Sequence, residues 1–389
     1  DAPYATLAKA AEAAPDGATI YVMSDVEMNQ MAWVWEKELT ITSYGVDPVT
    51  LSRGENFHTN ADPARQHYNP AMIEVGGETE QGTVSSLILT HIILDDMGKY
   101  EGEYFVQADS EGDGETTVSR SEVPNTSIVQ DAIIATYNGM GTITLGDGAE
   151  LRNYGGMSAV RLSGGELIME EGSAILDTTE NEREKGASGS FGPAGAVWLQ
   201  GGILTMNGGT IGGDKGVMMN GRALYADGGT ANIGGTIQNI HGTDAAWQGQ
   251  NGVAVHLRSH GEATLASTGE ITNVTGTNAG NNCAIWTQFC NFTTKAGSKI
   301  SHVDGFQLLY FDDLDNNNYS HEVYLNGTIS ECASGSASLL RSWYGQITFG
   351  PNSVIENCSS SSAGGLIYSN NGSHYTFAGT IRDNTASKG

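Results

Sequence analysis

AVWLQGGILTMNGGTIGG, from Ala196 to Gly213, is the stretch that decides the architecture. It holds three short runs, VWL, ILTM and TIG, in which residues alternate at the two-residue period of a β-strand. Glycine pairs separate the runs, no helix intervenes, and no hairpin joins them as antiparallel neighbours. Strands this short cannot bury a face alone. Coiled so that each unit pairs in parallel with the next, they bury inward Val, Leu, Ile and Met side chains in one continuous column.

The same unit, AV-x-L, a glycine turn, a second run, another turn, then GxI and a polar pair, begins again at Ala132, Ala159, Ala223, Ala254, Ala284, Leu308, Leu339 and Leu366. The repeat predicts an all-β protein, a right-handed three-faced parallel β-helix, as one domain over 1–389. Within it, 1–25 form an N-terminal cap and first strand, 26–130 irregular coils with insertions, and 131–389 regular coils. TLAKAAEAAPDG, from Thr6 to Gly17, reads as a short amphipathic capping helix closed by Pro-Asp-Gly. ELTITSYG, AMIEVGG, SLILTHIILDD and YFVQADS read as the early coils. No matching cap follows GTIRDNTASKG, which leaves room for a chain that continues past Gly389.

Two columns test the register. Ile175, Ile211, Ile237, Ile271, Ile300, Ile329, Ile355 and Ile381 each follow the same turn and are expected to stack inward. Two residues on, Asn153, Asp177, Asn239, Asn273, His302, Glu331, Asn357 and Asp383 mark a corner where Asn and Asp tolerate left-handed backbone angles. Cys332 and Cys358 occupy one repeat position on successive coils, about 4.8 Å apart by strand spacing. That separation suits a disulfide or two stacked buried thiols equally.

Composition narrows the partners. Eighteen Lys and Arg stand against 45 Asp and Glu, a formal charge of -27, so the surface repels phosphate backbones and anionic lipid. Nucleic acid and membrane partners are not expected, and no apolar run approaches the ~20 residues of a transmembrane helix. Fifty-three glycines and a charged fraction of 16% suit an extracellular or wall-associated bacterial β-protein. Four cysteines without a CxxC pair support no zinc site, and no cofactor is expected.

The helical cap, the GGxLTMNGGxI units and the polar corners resemble the right-handed β-helix, or pectate-lyase-like, domains of large surface proteins from gut Firmicutes. The likeness spans nearly the whole chain but is architectural. It implies a fold that carries polysaccharide lyases, glycosidases and adhesins, and some surface proteins of this look bind immunoglobulins in a superantigen-like way.

Within each AV-x-L strand the flanking apolar residues point inward, so x points out. Along the coils x reads Ile134, Arg161, Trp198, Tyr225, His256, Trp286, Tyr310, Arg341 and Tyr368, aromatic or cationic from its second member. Two residues on comes a second outward column, Ser163, Gln200, Asp227, Arg258, Gln288, Asp312, Trp343 and Asn370. Rings beside hydrogen-bonding groups suit a host glycan or a host protein. The same stacking also stabilises neighbouring coils on its own, at ~1 kcal/mol per contact. Long insertions, Leu176 to Gly195 and Ile240 to Gly252, are expected to wall the stripe and bring Arg183, His241 and Trp247 beside it. Those at Arg53 to Pro70 and Gly98 to Val123 lie nearer the N-terminus.

Enzyme chemistry is the alternative. A glycosidase needs two carboxylates roughly 5–10 Å apart, and Asp227 and Asp312, three coils apart, are too distant. Asp312 and Asp313, with Asp304 and Asp315 nearby, are the better acids, which keeps a lacto-N-biosidase-like glycosidase open. Asp313, Asp315 and Asn317 alternate like a calcium loop but lack its glycine and closing glutamate; Asp109, Glu111, Asp113 and Glu115 make a second acidic loop. Calcium or a solvated turn fits either. A lyase arrangement from Asp227, His256 and Arg258 is disfavoured by the negative surface. The leading expectation is a noncatalytic adhesin, then a glycosidase, then a passive stalk.

Overall fold

A computed structural model describes residues 3–58, 71–76, 85–97, 103–107, 115–119, 132–136, 139–155, 158–179, 195–242, 251–276, 282–313, 320–335, 338–361, 365–370 and 372–387. The quoted unit makes one coil. Its strands Val197–Leu199, Ile203–Met206 and Thr210–Gly213 belong to three different sheets. Those sheets contain eleven, twelve and sixteen strands, and each strand pairs in parallel with its counterpart one coil away. The chain is therefore a three-faced parallel β-helix. YFVQADS does not form a coil: strand Glu103–Gln107 pairs antiparallel with Glu115–Ser119 in a separate two-stranded sheet. The other early segments do coil, with Glu38–Ser43, Ala71–Gly76, Ser85–Thr90 and Ile92–Asp95 all inside the three sheets.

The isoleucine column stacks as expected. Ile175, Ile211, Ile237, Ile271, Ile300, Ile329, Ile355 and Ile381 are successive register partners, and all but the last are buried. Leu151, Leu94, Leu51 and Val26 continue the column toward the N-terminus. The polar corner is left-handed at Asn153, Asn239, Asn273, His302, Glu331, Asn357 and Asp383, with φ between 51° and 55°. Asp177 departs from that pattern: it is not left-handed, it pairs with Gly213, and it is buried. Asn273 Nδ2 donates to Asn239 Oδ1 at 2.6 Å, so side chains at this corner bond from coil to coil.

Glu331 is the odd member. It pairs with His302 at 2.9 Å, but both side chains are more than half exposed, where such a pair stabilises little. Its left-handed backbone costs a glutamate more than an asparagine. Glu331→Asn is expected to gain about 0.5 kcal/mol in urea unfolding with an unchanged denaturant slope. A lower midpoint would mean that the ion pair outweighs the backbone strain.

The glycine pairs explain how tightly the coils turn. Gly201-Gly202 stacks between Gly164-Gly165 and Gly228-Gly229, and a Cβ at Gly165 would drive into the carbonyl oxygen of Gly141. At the N-terminal end the helix Leu7–Ala13 is capped by Thr6, whose hydroxyl accepts from the Lys9 amide at 3.3 Å. Lys37 Nζ donates to the carbonyls of Ala11, Glu12 and Ala14 at the other end of the helix. Leu7, Ala10 and Ala11 are buried on the helix, and Leu7 and Ala11 join the core column. In the early coils Arg53 forms a buried ion pair with Asp96 and donates to the Ala132 carbonyl at 3.0 Å, while Asp96 Oδ2 accepts from the Gly155 amide at 2.7 Å. These bonds tie two segments of the irregular region, at Arg53 and Asp96, to the first regular coils at Ala132 and Gly155.

Candidate functional site

The eleven-stranded sheet carries the outward stripe. Trp33, Glu74, Ala135, Arg161, Trp198, Tyr225, His256, Trp286, Tyr310, Arg341 and Tyr368 hold one register position on its consecutive strands. The ninefold repeat in the sequence is correct from Arg161 onward and off by one before it. Ile134 pairs with Ile73 and Val160 and is buried in the core, so Ala135 takes the stripe position. Trp33 and Glu74, which the repeat did not reach, extend the stripe to the first coils.

Side chains follow one another in contact from Arg161 to Tyr368. Arg161 lies over the Trp198 ring at 5.5 Å, and ring centroids follow at 6.3 Å to Tyr225, 5.0 Å to His256, 4.4 Å to Trp286 and 6.4 Å to Tyr310. Arg341 closes the series between Tyr310 and Tyr368, at 5.2 Å and 5.8 Å from their rings. Arg222 also lies over the Tyr225 ring, at 5.5 Å from its centroid. Cations over ring faces and edge-to-face rings are both favourable. Sheet register therefore converts residues far apart in sequence into one continuous ladder.

Accessibility divides it. Arg161, Trp198, His256 and Tyr310 are buried although they sit on the outer face of the sheet. Tyr225, Trp286 and Arg341 are half-buried and Tyr368 is exposed. The second outward column runs as expected: Asp227 pairs with Arg258, Gln288 with Asp312, Asp312 with Trp343, and Trp343 with Asn370. Arg258 is exposed, Asp227 and Gln288 are half-buried, and Asp312 and Asp313 are buried. Gln200 accepts from Arg161 Nε at 3.0 Å, which ties the second column to the first. Ser259 Oγ donates to Asp227 Oδ1 at 2.5 Å, and Arg258 donates to the Tyr225 hydroxyl at 3.3 Å.

Burial sets the electrostatics. It lowers Arg161 to about 10, partly offset by the negative charge of Glu74. The guanidinium still carries its charge at neutral pH. Burial raises Tyr310 to about 12, with Asp312 adding to the rise. It raises the Cys283 and Cys290 thiols to about 12. All four cysteines are free and buried. Cys332 and Cys358 sit immediately before Ala333 and Ser359, which are register partners, and the Cys332 thiol is raised by its hydrogen bond to Cys358 and by burial.

These shifts give a pH dependence. A thiol or phenol whose pKa is raised on folding holds its proton in the native state, so its contribution is complete below the unfolded pKa and disappears as pH rises through the folded value. For Cys283 and Cys290 that window runs from 9.0 to about 12, and for Tyr310 from 10.0 to about 12. Native protein at pH 8 is expected to react with a thiol reagent at none of these buried positions until denaturant is added. The urea midpoint is expected to fall steadily above pH 9. Rapid labelling at pH 8, or a flat alkaline limb, would contradict the burial of these groups.

No family model matches the chain. No curated protein matches it by sequence either. Among solved structures, the A-module of the Azotobacter vinelandii mannuronan C-5 epimerase AlgE6 is 10% identical, with 97% of this chain and 93% of that chain covered, at a TM-score of 0.26. A family 28 exopolygalacturonase of Yersinia enterocolitica is 10% identical over 97% of this chain and 75% of that one, at 0.28. A hyper-glycosylated TibA fragment is 9% identical over 94% and 100%, at 0.23. Overlap this slight carries nothing about function, and the fold rests on the sheet topology itself.

Of the expected cleft walls, Arg183, Trp247 and most of both long insertions lie outside the described residues, as do Asp109, Glu111, Asp113, Asp315 and Asn317. His241 is described. It ends strand Thr236–His241 in the sixteen-stranded sheet, where its Nδ1 lies 2.9 Å from Thr275 Oγ1, so it belongs to a different face from the ladder. Asp304 likewise ends a strand of that sheet, Lys299–Asp304. Sequence reasoning missed a cluster beside the second column. Asp313 Oδ1 lies 2.9 Å from His321 Nδ1, and His321 Nε2 lies 3.2 Å from His260 Nδ1. The repeat does not mark it: His321 directly precedes Glu322 and His260 stands two residues before Glu262, so the two occupy different register positions, in turns flanking strands two coils apart.

Proposed function

We propose that this chain is an extracellular binding module, an adhesin in kind, that recognises a host glycan or host protein on the accessible part of the ladder. Tyr225, Trp286, Arg341 and Tyr368 supply ring faces and a cation, while Asp227, Arg258 and Gln288 supply hydrogen-bonding groups at the same edge. The buried members, Arg161, Trp198, His256 and Tyr310, act as the rigid backing that keeps the accessible rings in place. One observation carries the proposal: ring and cation contacts continue without a break from Arg161 to Tyr368. Fixed aromatic side chains lose little conformational entropy on binding, which is why Trp, Tyr and Arg dominate hot spots.

The test is a glycan array and an immunoglobulin panel, run on wild type and on a Tyr225→Ala, Trp286→Ala double variant, beside oligosaccharide cleavage assays on wild type and Asp312→Ala. Binding that disappears in the double variant, with no turnover by wild type, is the expected result. Turnover abolished by Asp312→Ala would replace the proposal with a glycoside hydrolase acting through Asp312 and Asp313. A folded protein that binds nothing and cleaves nothing would leave the ladder as structure and the chain as a stalk.

A further inference from the structure

His260 and His321 meet on the outside of the solenoid although a whole coil separates them. His260 lies in the turn between strands Asn251–Arg258 and Glu262–Leu265, and His321 directly precedes strand Glu322–Leu325. The strand between them, Asn291–Thr294, pairs with both. Ser259 and His260 are left-handed, with φ of 53° and 62°. His260 Nδ1 lies 3.2 Å from His321 Nε2, with ring centroids 5.3 Å apart and planes tilted by 29°. On its far side His321 Nδ1 lies 2.9 Å from Asp313 Oδ1, whose side chain is 0% exposed. A carboxylate at one imidazole nitrogen fixes the proton there and leaves the other nitrogen as a basic lone pair. That lone pair faces His260.

We propose that His260 Nδ1 and His321 Nε2 form a two-imidazole site for a borderline divalent transition-metal ion such as Zn²⁺, Ni²⁺ or Cu²⁺, with Asp313 as the outer carboxylate that orients His321. Two nitrogens bound at 2.0–2.1 Å in tetrahedral geometry stand about 3.3 Å apart. The separation of 3.2 Å is already that of a chelate. Imidazole pairs select such ions over Ca²⁺ and Mg²⁺, which require oxygen cages. Among the described residues no group of three or more His, Cys, Asp or Glu is arranged to hold a metal. Water, or a donor atom of a bound molecule, completes the coordination. The competing state is a direct imidazole–imidazole hydrogen bond, which takes up no metal.

The whole chain, in chelator-free buffer, would be titrated calorimetrically with ZnCl₂ and with NiCl₂. One equivalent of each is expected to bind to wild type. His260→Ala, a change in an exposed turn, is expected to weaken binding at least ~10-fold, and Asp313→Asn to weaken it about 10–100-fold through loss of the outer carboxylate. His302→Ala, at a half-exposed histidine on another face, is expected to leave affinity unchanged. Absence of binding to wild type, or equal affinity in wild type and His260→Ala, would overturn the site. If Asp313→Asn prevents folding, His321→Ala takes its place in the same titration and is expected to weaken binding at least as much as His260→Ala does. The ladder proposal is separate: Trp286→Ala is expected to leave metal affinity intact, so either idea can fail alone.

Discussion

Phe311→Ala is expected to destabilise the protein by about 3–5 kcal/mol, read as a lower urea midpoint. Phe311 is fully buried, and its register partners on the adjacent coils are Thr287 and Ser342. One large ring thus fills a column position flanked by two small polar side chains. Its ring also lies under Gly345, where even a Cβ would collide with it. After truncation the neighbours are too short to fill the space and the backbone is held by pairing on both sides, so the cavity persists. Coils in a solenoid are stabilised mainly by their nearest neighbours. The variant is therefore expected to unfold less cooperatively, with the coils beyond Ser342 released first. A loss below about 1 kcal/mol would mean that the coils close around the gap.

Trp286→Ala is expected to weaken binding of whatever ligand the screen identifies by about 10–100-fold, or roughly 1.4–2.8 kcal/mol. Trp286 stands at the centre of the accessible ladder, 4.4 Å from the His256 ring and 6.4 Å from the Tyr310 ring. It is half-buried, so its removal takes an exposed face from the ligand and an edge contact from His256. Stability is expected to fall by ~1 kcal/mol through the lost ring contacts. Trp286→Phe separates the two effects: it is expected to restore most of the stability and only part of the affinity. Unchanged binding in Trp286→Ala, with the protein folded, would remove this part of the ladder from recognition.

The regular coils were legible because each position along the repeat has one duty. Isoleucine recurs where the third strand faces inward, and Asn or Asp recurs where the backbone turns left-handed. The repeat became unreadable where that economy fails. YFVQADS reads as a β run like those of the coils, yet Glu103–Gln107 finds an antiparallel partner in Glu115–Ser119 instead. Period alone says that a strand forms and leaves its partner open. In the strand Ala132–Thr136, AIIA offers apolar residues at every position, so the one-residue shift that puts Ile134 inside and Ala135 outside carries no compositional mark.

Periodicity dictated the three faces, the stacking of the columns and the outward direction of Trp198, Tyr225, His256 and Trp286. Those are consequences of local alternation repeated at a regular interval, and alternation is written in the chain. Depth was settled only by the folded molecule. Arg161, Trp198, His256 and Tyr310 face outward yet are buried, and Tyr368 on the same line is exposed. The meeting of His260 with His321 was settled there too, since it depends on how two turns project past the coil between them. Exposure and contact across coils are sums over neighbours brought together from distant parts of the chain, and no single repeat contains them.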